Sequence, residues 1–404
     1  MPLRARLDRL TGAPPAAFWW LWGGAFVSAL ATFVLPFLTL FLRSRGLGVE
    51  AIGRMGALYG VGVLLGSPVA GALADRLGRR PTMIGALLCT ALATAVLALV
   101  ERAAAITGAV VLVGVSHAAY RPAAQALVAD VVLPEARTRA YGMLRWGNNL
   151  GLAVSSVLGG ALAAIGYDRL FLVDAATTLA FVAIVAWRVP ETRPAPPPPG
   201  VRPGPRARLP VREALFLLAF LALQVAFILP LWQFQVTLPL SMAREGHGPA
   251  VFGRVLAVNG VLITLLQPSL AAWSAERDAA RLLAGGALLV GLGYGAYALC
   301  QGALAFGAAT AVWSLGEIVF MPVASSAVAA LSPAALRGRY LGAWSLAFGL
   351  GMVVSPVLGS ACLERFGPRA LWGSCLGTGL LAALGFLVLG PGMRQRMAAR
   401  RGGA

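Results

Sequence analysis

Two residues that can carry a proton stand in the middle of long apolar segments of this 404-residue chain. Glu317 lies within the apolar run 302–331, and His117 lies 200 residues earlier, within the apolar run 103–129. An ionisable group inside a membrane span costs at least about 2.5 to 3.5 kcal/mol, so each is expected to have a function. The chemistry that these side chains offer is reversible protonation in a medium of low dielectric constant.

Both residues belong to sets with helical spacing. The sets recur at every fourth position and consist of His117, Arg121 and Gln125 in the earlier run and Trp313, Glu317 and Met321 in the later run. Residues four apart share one face of a helix, so each run presents one face that carries its polar residues. Arg121 could bind an anionic group or pair with Glu317. For each of these residues, a hydrogen bond that merely joins two helices is the alternative.

The composition indicates that lipid surrounds most of the chain. Hydrophobic residues make up 59% and charged residues 12% of the sequence, whereas soluble domains carry roughly 25% charged residues. All 33 basic residues are arginines, and the net charge is +18. They stand in small groups between apolar runs and form no continuous basic face, so nucleic acid is not an expected partner.

Enzymatic and metal chemistry find little support in the sequence. The four cysteines stand singly in apolar surroundings, at Cys89, Cys300, Cys362 and Cys375. This pattern predicts neither a disulfide framework nor a metal site. Since a histidine-rich metal set, a nucleophile elbow and a phosphate-binding loop are also missing, we expect no enzyme activity, no catalytic residues and no cofactor.

Windows of about 20 apolar residues, the length needed to cross a bilayer, predict an all-α integral membrane protein with twelve transmembrane helices. The predicted spans are 18–42, 54–73, 82–100, 103–129, 140–165, 170–187, 214–240, 255–275, 282–300, 302–331, 340–362 and 370–390. The predicted organisation is an N-terminal segment 1–17, a six-helix bundle 18–189, a proline- and arginine-rich linker 190–212, a second bundle 213–390 and a tail 391–404.

The arginines predict the orientation of the spans. Of the 33 arginines, 22 fall on the side of the two termini, 9 on the opposite side and 2 within spans. Because positive residues are retained in the cytoplasm, both termini, the linker and the tail are expected there. The expected location is the plasma membrane, most simply the bacterial inner membrane.

The two halves of the chain are repeats. Adding 200 to a residue number leads to the same residue type in the corresponding span, as for Pro122 and Pro322, Gly151 and Gly351, and Ser155 and Ser355. Two six-helix units that rock against each other around a central site are a transporter architecture.

The loop between spans 2 and 3 reads Gly71-Ala72-Leu73-Ala74-Asp75-Arg76-Leu77-Gly78-Arg79-Arg80. Its glycines, its acid and its arginines resemble the signature loop of the major facilitator superfamily, and the chain from about residue 18 to 390 has the span number and repeat of that family. The resemblance implies the major facilitator fold and a cytoplasmic latch made by Gly71, Asp75, Arg76, Gly78, Arg79 and Arg80. Asp75 could accept from these arginines or face a helix N-terminus. The equivalent loop, 271–280, has lost both glycines and the matching acid.

Span 5 carries a second motif. Gly147, Gly151, Gly159 and Gly160 are similar to the glycine motif of antiporters in this superfamily, but Ser155-Ser156 replaces the usual central Gly-Pro. Close packing of helices through small residues is the alternative interpretation.

The resemblance implies that spans 1, 4, 7 and 10 line a central cavity. Besides Glu317, His117, Arg121, Gln125 and Trp313, polar residues of spans 1 and 7 could line it, namely Ser28, Thr32, Gln224, Gln233 and Gln235. Asp174 lies only one turn inside span 6 and is expected to reach the outer interface.

The drug/proton antiporter branch is the leading expectation: a monomeric, proton-coupled exporter of small amphipathic molecules. A specific uptake symporter or facilitator for a metabolite is the alternative. Arg121 would favour an anionic group on such a substrate, and the Ser155-Ser156 substitution weakens the antiporter interpretation.

Overall fold

A computed structural model describes residues 15–192, 210–274, 277–333 and 336–401. Within these ranges, ten helices are long and apolar enough to cross a membrane. One of them bends at Gly367 (φ 80°) and contains two spans. Span 1 adds a further crossing, because it consists of two helices that are each too short to cross alone. The prediction of twelve spans is confirmed; segment 1–17 and linker 190–212 lie mostly outside the described residues.

The helices of the first six spans are Ala16–Ala29 with Val34–Ser44, Val49–Leu77, Arg79–Leu99, Ala103–Val131, Arg137–Ile165 and Tyr167–Arg188. Those of the last six are Val211–Leu231 with Thr237–Arg244, Pro249–Ser274, Ala279–Ala296, Gly302–Leu331 and Arg337–Arg401, the last of which includes spans 11 and 12. Pro134–Ala136 and Trp232–Phe234 form short 3₁₀ turns.

The chain folds into two units. Unit 1 contains the described residues of 1–47, 58–196 and 248–260, and unit 2 contains those of 48–57, 197–247 and 261–404. Each unit therefore holds most of one six-helix repeat, together with the first turns of one span from the other repeat. Packing in both units relies on small residues and aromatic rings, as where Phe227 stacks on Phe320 with ring centroids 3.5 Å apart.

Span 1 is interrupted, although the sequence predicted one helix over 18–42. Its first half-helix ends at Ala29 and its second begins at Val34, so that Pro36 is the third residue of the second half-helix. In a continuous helix the ring of Pro36 would collide with the carbonyl group of Thr32. Proline is tolerated in the first turn, where the N–H groups have no helical partner.

Span 7 is interrupted in the same way. Its second half-helix begins at Thr237 and has Pro239 as its third residue. A glycine with positive φ follows each second half-helix, namely Gly46 (81°) and Gly246 (82°), a backbone conformation that residues with a Cβ rarely adopt. The repeat thus includes the interruption and the turn after it.

The last helix continues beyond the predicted end of span 12. It runs without a break from Pro368 to Arg401, so most of the predicted tail 391–404 is helical. Arg396 Nε lies 3.1 Å from Glu213 Oε1, and Arg394 Nη1 lies 3.1 Å from Asp278 Oδ2. The ion pairs fasten this extension to the beginning of span 7 and to the loop before span 9.

Candidate functional site

The polar residues of span 4 meet span 2 inside unit 1. The hydroxyl group of Tyr59 lies 3.0 Å from His117 Nδ1, and which of the two atoms donates depends on the tautomer of the imidazole. Gly114 permits this contact, because a Cβ there would meet the backbone of Tyr59. Tyr59 also interacts electrostatically with Arg121. No signal in the sequence pointed to Tyr59, since a tyrosine in an apolar span is ordinary.

Arg121 and Gln125 are exposed on the face of span 4 that His117 shares. Neither side chain forms a hydrogen bond or ion pair with another described residue, although the carbonyl group of Gln125 accepts from Tyr141 Oη at 2.9 Å. A guanidinium group inside a membrane span is expected to face water or a partner. The predicted polar face of span 4 therefore exists and is accessible.

In unit 2, Glu317 is partly buried and interacts electrostatically with Tyr294 of span 9. The neighbouring Trp313 is 1% exposed, stacks on Tyr294 at 5.2 Å and donates its indole N–H to Tyr297 Oη at 2.7 Å. This arrangement favours a packing role for Trp313, and its contact with substrate stays a prediction.

The glutamines of span 7 are all buried in unit 2. Gln224 is 1% exposed, and its Oε1 has no hydrogen-bond partner among the described residues. Gln233 donates through Nε2 to Ser355 Oγ at 2.9 Å and accepts from Thr237 Oγ1 at 2.8 Å. Gln233 therefore braces the interruption of span 7 rather than lining an open surface.

Four aromatic residues of spans 7 and 11 form a partly exposed cluster in unit 2, here called the aromatic cluster: Trp232, Phe234, Trp344 and Phe348. The Phe348 ring lies 5.6 Å from that of Trp232 and 6.4 Å from that of Trp344. The indole N–H groups of both tryptophans lack a partner among the described residues. The cluster combines partly exposed aromatic surface with two buried indole N–H groups.

The predicted latch is held together within unit 1. Arg79 Nη1 lies 2.7 Å from Asp75 Oδ1, and Arg79 Nε lies 3.4 Å from Asp130 Oδ2 at the end of span 4. Of the two partners expected for Asp75, the structure shows the arginine. Asp130 and Glu191 were not anticipated, because their contacts with the loop join residues 51 and more than 100 positions apart.

Glu191 follows span 6 and accepts from two backbone N–H groups at the beginning of span 3. The distances are 2.8 Å from the nitrogen of Arg79 and 3.1 Å from that of Arg80. Gly78 precedes them with φ 108°, and a Cβ there would lie 2.5 Å from the Glu191 carboxylate. Gly78 is thus required both for the turn and for the approach of Glu191. Gly71 has no close neighbour that would exclude a side chain.

The corresponding loop of the second repeat has a different construction. Asp278 accepts from the backbone N–H of Arg281 at 2.9 Å and thereby caps span 9. Burial raises the pKa of the Asp278 carboxyl group, but this hydrogen bond and the Arg394 guanidinium outweigh it and hold the pKa below its usual value. Residues 275–276 lie outside the described ranges.

The glycine motif of span 5 packs against span 1. A Cβ at Gly147 would lie 2.7 Å from the Trp22 indole nitrogen, one at Gly151 would lie 2.5 Å from Ala29 Cβ, and one at Gly159 would lie 2.5 Å from the Phe37 ring. Gly160 instead approaches Pro249 and Gly253 of span 8. Close helix packing therefore accounts for all four glycines.

Asp174 does not reach the outer interface, so that prediction was wrong. The residue is 5% exposed and its carboxylate accepts from the backbone N–H groups of Phe33 and Val34. The prediction used only the distance of Asp174 from the end of its own span. It could not include the backbone N–H groups that the interruption of span 1 makes available beside Asp174.

Comparison with known families identifies the architecture. Residues 21–240 and 215–402 each match the family model of the Major Facilitator Superfamily. The chain belongs to this superfamily. As a member of the Major Facilitator Superfamily, it is a multi-pass membrane transporter with two six-helix repeats, and lipid and a small-molecule substrate are its partners.

Curated relatives of this Major Facilitator Superfamily member include multidrug resistance proteins MdtH. The protein from Edwardsiella ictaluri is 28% identical over 274 residues, which cover 67% of each chain. The protein from Cronobacter sakazakii is 26% identical over 319 residues, 76% of this chain and 78% of the relative.

Solved structures with the same fold include a peptide transporter POT in complex with sulfate. Its TM-score is 0.80 at 18% identity, with 95% of this chain and 96% of that chain covered. A mutant of the nucleoside transporter NupG has a TM-score of 0.78 at 12% identity, with 92% and 99% covered. These likenesses support the fold alone.

Proposed function

We propose that this transporter exports small amphipathic molecules in exchange for protons. The observation that carries the proposal is its similarity to multidrug resistance proteins over as much as three quarters of the chain. The aromatic cluster adds a physical reason, because aromatic rings bind flat apolar groups and the face of a tryptophan attracts cations. The substrate class is therefore an amphipathic compound with an aromatic portion.

Glu317 is the proposed proton carrier of this reaction. It is an acid within a membrane span, is partly buried, and lies close to the tyrosine on which Trp313 stacks. Intramembrane acids mark proton pathways in transporters. His117, bonded to Tyr59, is a second candidate in unit 1, and Arg121 and Gln125 offer polar groups on the same face.

A test uses purified protein in liposomes with an imposed pH gradient and a panel of aromatic amphipathic compounds. We expect pH-driven flux in the wild type. Glu317→Gln keeps the side-chain size but cannot titrate, so it should lose pH-driven flux and retain gradient-independent exchange. Glu364→Gln is the matched control, because Glu364 is about half exposed beside Arg244. Full pH-driven flux in Glu317→Gln would remove the residue from this role.

The alternative, uptake of a metabolite with an anionic group, is favoured by the exposed Arg121 guanidinium. In cells, an exporter lowers the internal concentration of its substrate, whereas an uptake system raises it. Accumulation of a panel compound in cells that contain the protein would favour the alternative.

We further propose that the protein is a monomer in the bacterial inner membrane, the location that its bacterial relatives suggest. The arginine distribution favours an orientation with both termini in the cytoplasm. Reporters attached near Gly200 and near Gly246 test the orientation. A cytoplasmic Gly200 and an external Gly246 are expected, and the reverse would refute it.

A further inference from the structure

The interruption of span 1 is held by a buried carboxylate. The backbone N–H groups of Phe33 and Val34 donate to Asp174 Oδ2 at 2.8 and 3.2 Å, and Thr178 also bonds to this carboxyl group. Asp174 is 5% exposed and lies 140 residues from Val34 in the chain. A hydrogen bond to a charged acceptor is roughly twice as strong as one between neutral groups.

Both N–H groups are directed at Asp174 because the helix has been broken there, although that of Phe33 also donates to the carbonyl oxygen of Ala31 at 2.9 Å. Pro36 forces the second half-helix to begin at Val34, so its first N–H groups have no carbonyl partner one turn earlier. The positive end of this half-helix dipole also faces the carboxylate. Ser155 of span 5 donates to the carbonyl oxygen of Thr32 at 3.1 Å, which braces the other side of the interruption.

The corresponding interruption of span 7 is held by groups that are neutral at physiological pH. Tyr294 Oη donates to the carbonyl oxygen of Leu231 at 2.8 Å, and Ser355 Oγ donates to that of Leu229 at 2.6 Å. Ser355 corresponds to Ser155 at the offset of 200, whereas Asp174 corresponds to Ser374. The serine brace is therefore common to both repeats, whereas position 374 carries no ionisable counterpart of Asp174.

We propose that Asp174 is a positioning residue whose charge holds the interruption of span 1, and that its protonation loosens the second half-helix. A neutral carboxyl group can still accept through its carbonyl oxygen, but it no longer has the charge that strengthens both hydrogen bonds and attracts the helix N-terminus. The titratable and charged groups around it are Tyr59 on span 2, which interacts with Asp174, and His117 and Arg121 on span 4, which both adjoin Tyr59. Span 5 contributes the neutral Ser155.

The proposal goes beyond the role of Glu317 and rests on the proposed function only for its effect on transport. In the superfamily, span 1 lines the cavity, so a looser second half-helix would change access to it. Asp174 itself touches no substrate in this scheme. It acts through the backbone of Phe33 and Val34.

Hydrogen exchange at these two amides tests the inference directly. The full chain in lipid nanodiscs would be studied by hydrogen-exchange mass spectrometry, with peptides that cover residues 30–44. The measurement would be repeated from mildly acidic to mildly alkaline pH, and each exchange rate would be corrected for the intrinsic effect of pH. In the wild type we expect protection to fall about tenfold toward low pH, because the hydrogen bonds to Asp174 weaken when its charge is lost. In Asp174→Asn, protection should be low at every pH.

Three variants separate this role from a purely structural one. Ser155→Ala removes a brace that cannot titrate, so it should lower protection but leave the pH dependence intact. Asp174→Glu keeps the charge and should restore the pH dependence even if Asp174→Asn folds poorly. Glu317→Gln should lose pH-driven flux while the pH dependence of these amides stays as in wild type, which distinguishes the two proposals.

Protection that is independent of pH in the wild type would overturn the inference. So would an Asp174→Asn protein whose amides respond to pH as the wild type does. If pH-driven flux were never observed but the amides responded as expected, the proposed function would fail and this inference would stand.

Discussion

Glu191 is expected to stabilise unit 1 although it lies at the end of a span and is exposed. Its carboxylate supplies the cap of span 3, since the helix that begins at Arg79 has no side-chain cap of its own. Both oxygens are used, one for the N–H of Arg79 and one for that of Arg80. Removing the carboxylate leaves these donors to water alone.

The expected loss follows from this geometry. A missing N-cap lowers the free energy of unfolding by about 0.5 to 2 kcal/mol. Because Glu191 is exposed, we expect Glu191→Ala to lower it by about 1 kcal/mol, within this range. For a unit of this size, that corresponds to a decrease of about 2 to 4 °C in melting temperature. Glu191→Gln keeps one acceptor oxygen and should lose about half as much. Gly78→Ala should lose more, because it adds strain at a positive φ and displaces Glu191 as well.

The assay is thermal unfolding of the purified protein in detergent at one fixed scan rate, since membrane proteins often unfold irreversibly. Glu101→Ala provides the control, because that glutamate is 84% exposed and pairs with Arg45 at 3.2 Å. Such an exposed pair contributes about 0 to 1 kcal/mol. If Glu191→Ala melts no lower than Glu101→Ala, the capping argument is wrong.

Three further results are expected. Asp75→Asn should slow flux about two- to fivefold while substrate binding and melting temperature stay near wild type. The melting temperature should change little because the Asp75 side chain is 70% exposed and its bond to Arg79 contributes only about 0 to 1 kcal/mol to stability. An unchanged flux would contradict the proposed role of the latch. Trp344→Ala should raise the substrate concentration at half-maximal flux about two- to tenfold, from the loss of about 0.5 to 1.5 kcal/mol of ring contact, and unaltered saturation would exclude the aromatic cluster from binding. The lowered pKa of Asp278 means that its stabilising contribution is present above its unfolded pKa of about 3.9 and is lost as the pH falls through the folded pKa. Melting temperatures of the wild type and Asp278→Asn should therefore differ at pH 7 and converge as the pH falls from about 4 through the folded pKa. A gap that persists in stronger acid would refute the contribution of the carboxylate and Arg394.

The sequence predicts the helices well because their signal is local. Apolar runs of about 20 residues mark the spans. The segment predicted as a loop between spans 2 and 3 is shorter than expected, because the helices continue to Leu77 and begin again at Arg79, so that Gly78 alone forms the turn. The interruption of span 1 also had a local signal, namely Pro36 inside an apolar run. A proline within a span is ambiguous, however, since Pro68 and Pro122 stand inside continuous helices. Neighbouring helices decide whether the broken backbone groups find partners.

The contacts of the site were less predictable, because they join distant parts of the chain. Tyr59 and His117 are 58 residues apart, and Glu191 and Arg79 are 112 apart. The spacing rule that grouped His117 with Arg121 describes one face of one helix and contains no information about the facing helix. The position of Asp174 within span 6 likewise did not predict its surroundings, since its hydrogen-bond partners Phe33 and Val34 belong to another helix.

The offset of 200 shows which features of the repeat serve the fold and which distinguish its halves. Gly151 approaches span 1, and Gly351 approaches span 7 in the same way. Ser155 donates to a carbonyl group beside the interruption of span 1, and Ser355 donates to one beside that of span 7. This shared set depends on small residues that let helices approach closely. The ionisable groups do not follow the offset in this way, because Glu317 corresponds to His117 and Asp174 to Ser374. Packing can repeat without any cost to transport, whereas a charge placed identically in both halves would make the two halves respond alike to protonation. Because position 374 carries a serine, protonation of Asp174 would act through span 1 without an equivalent group at the corresponding position of the second repeat.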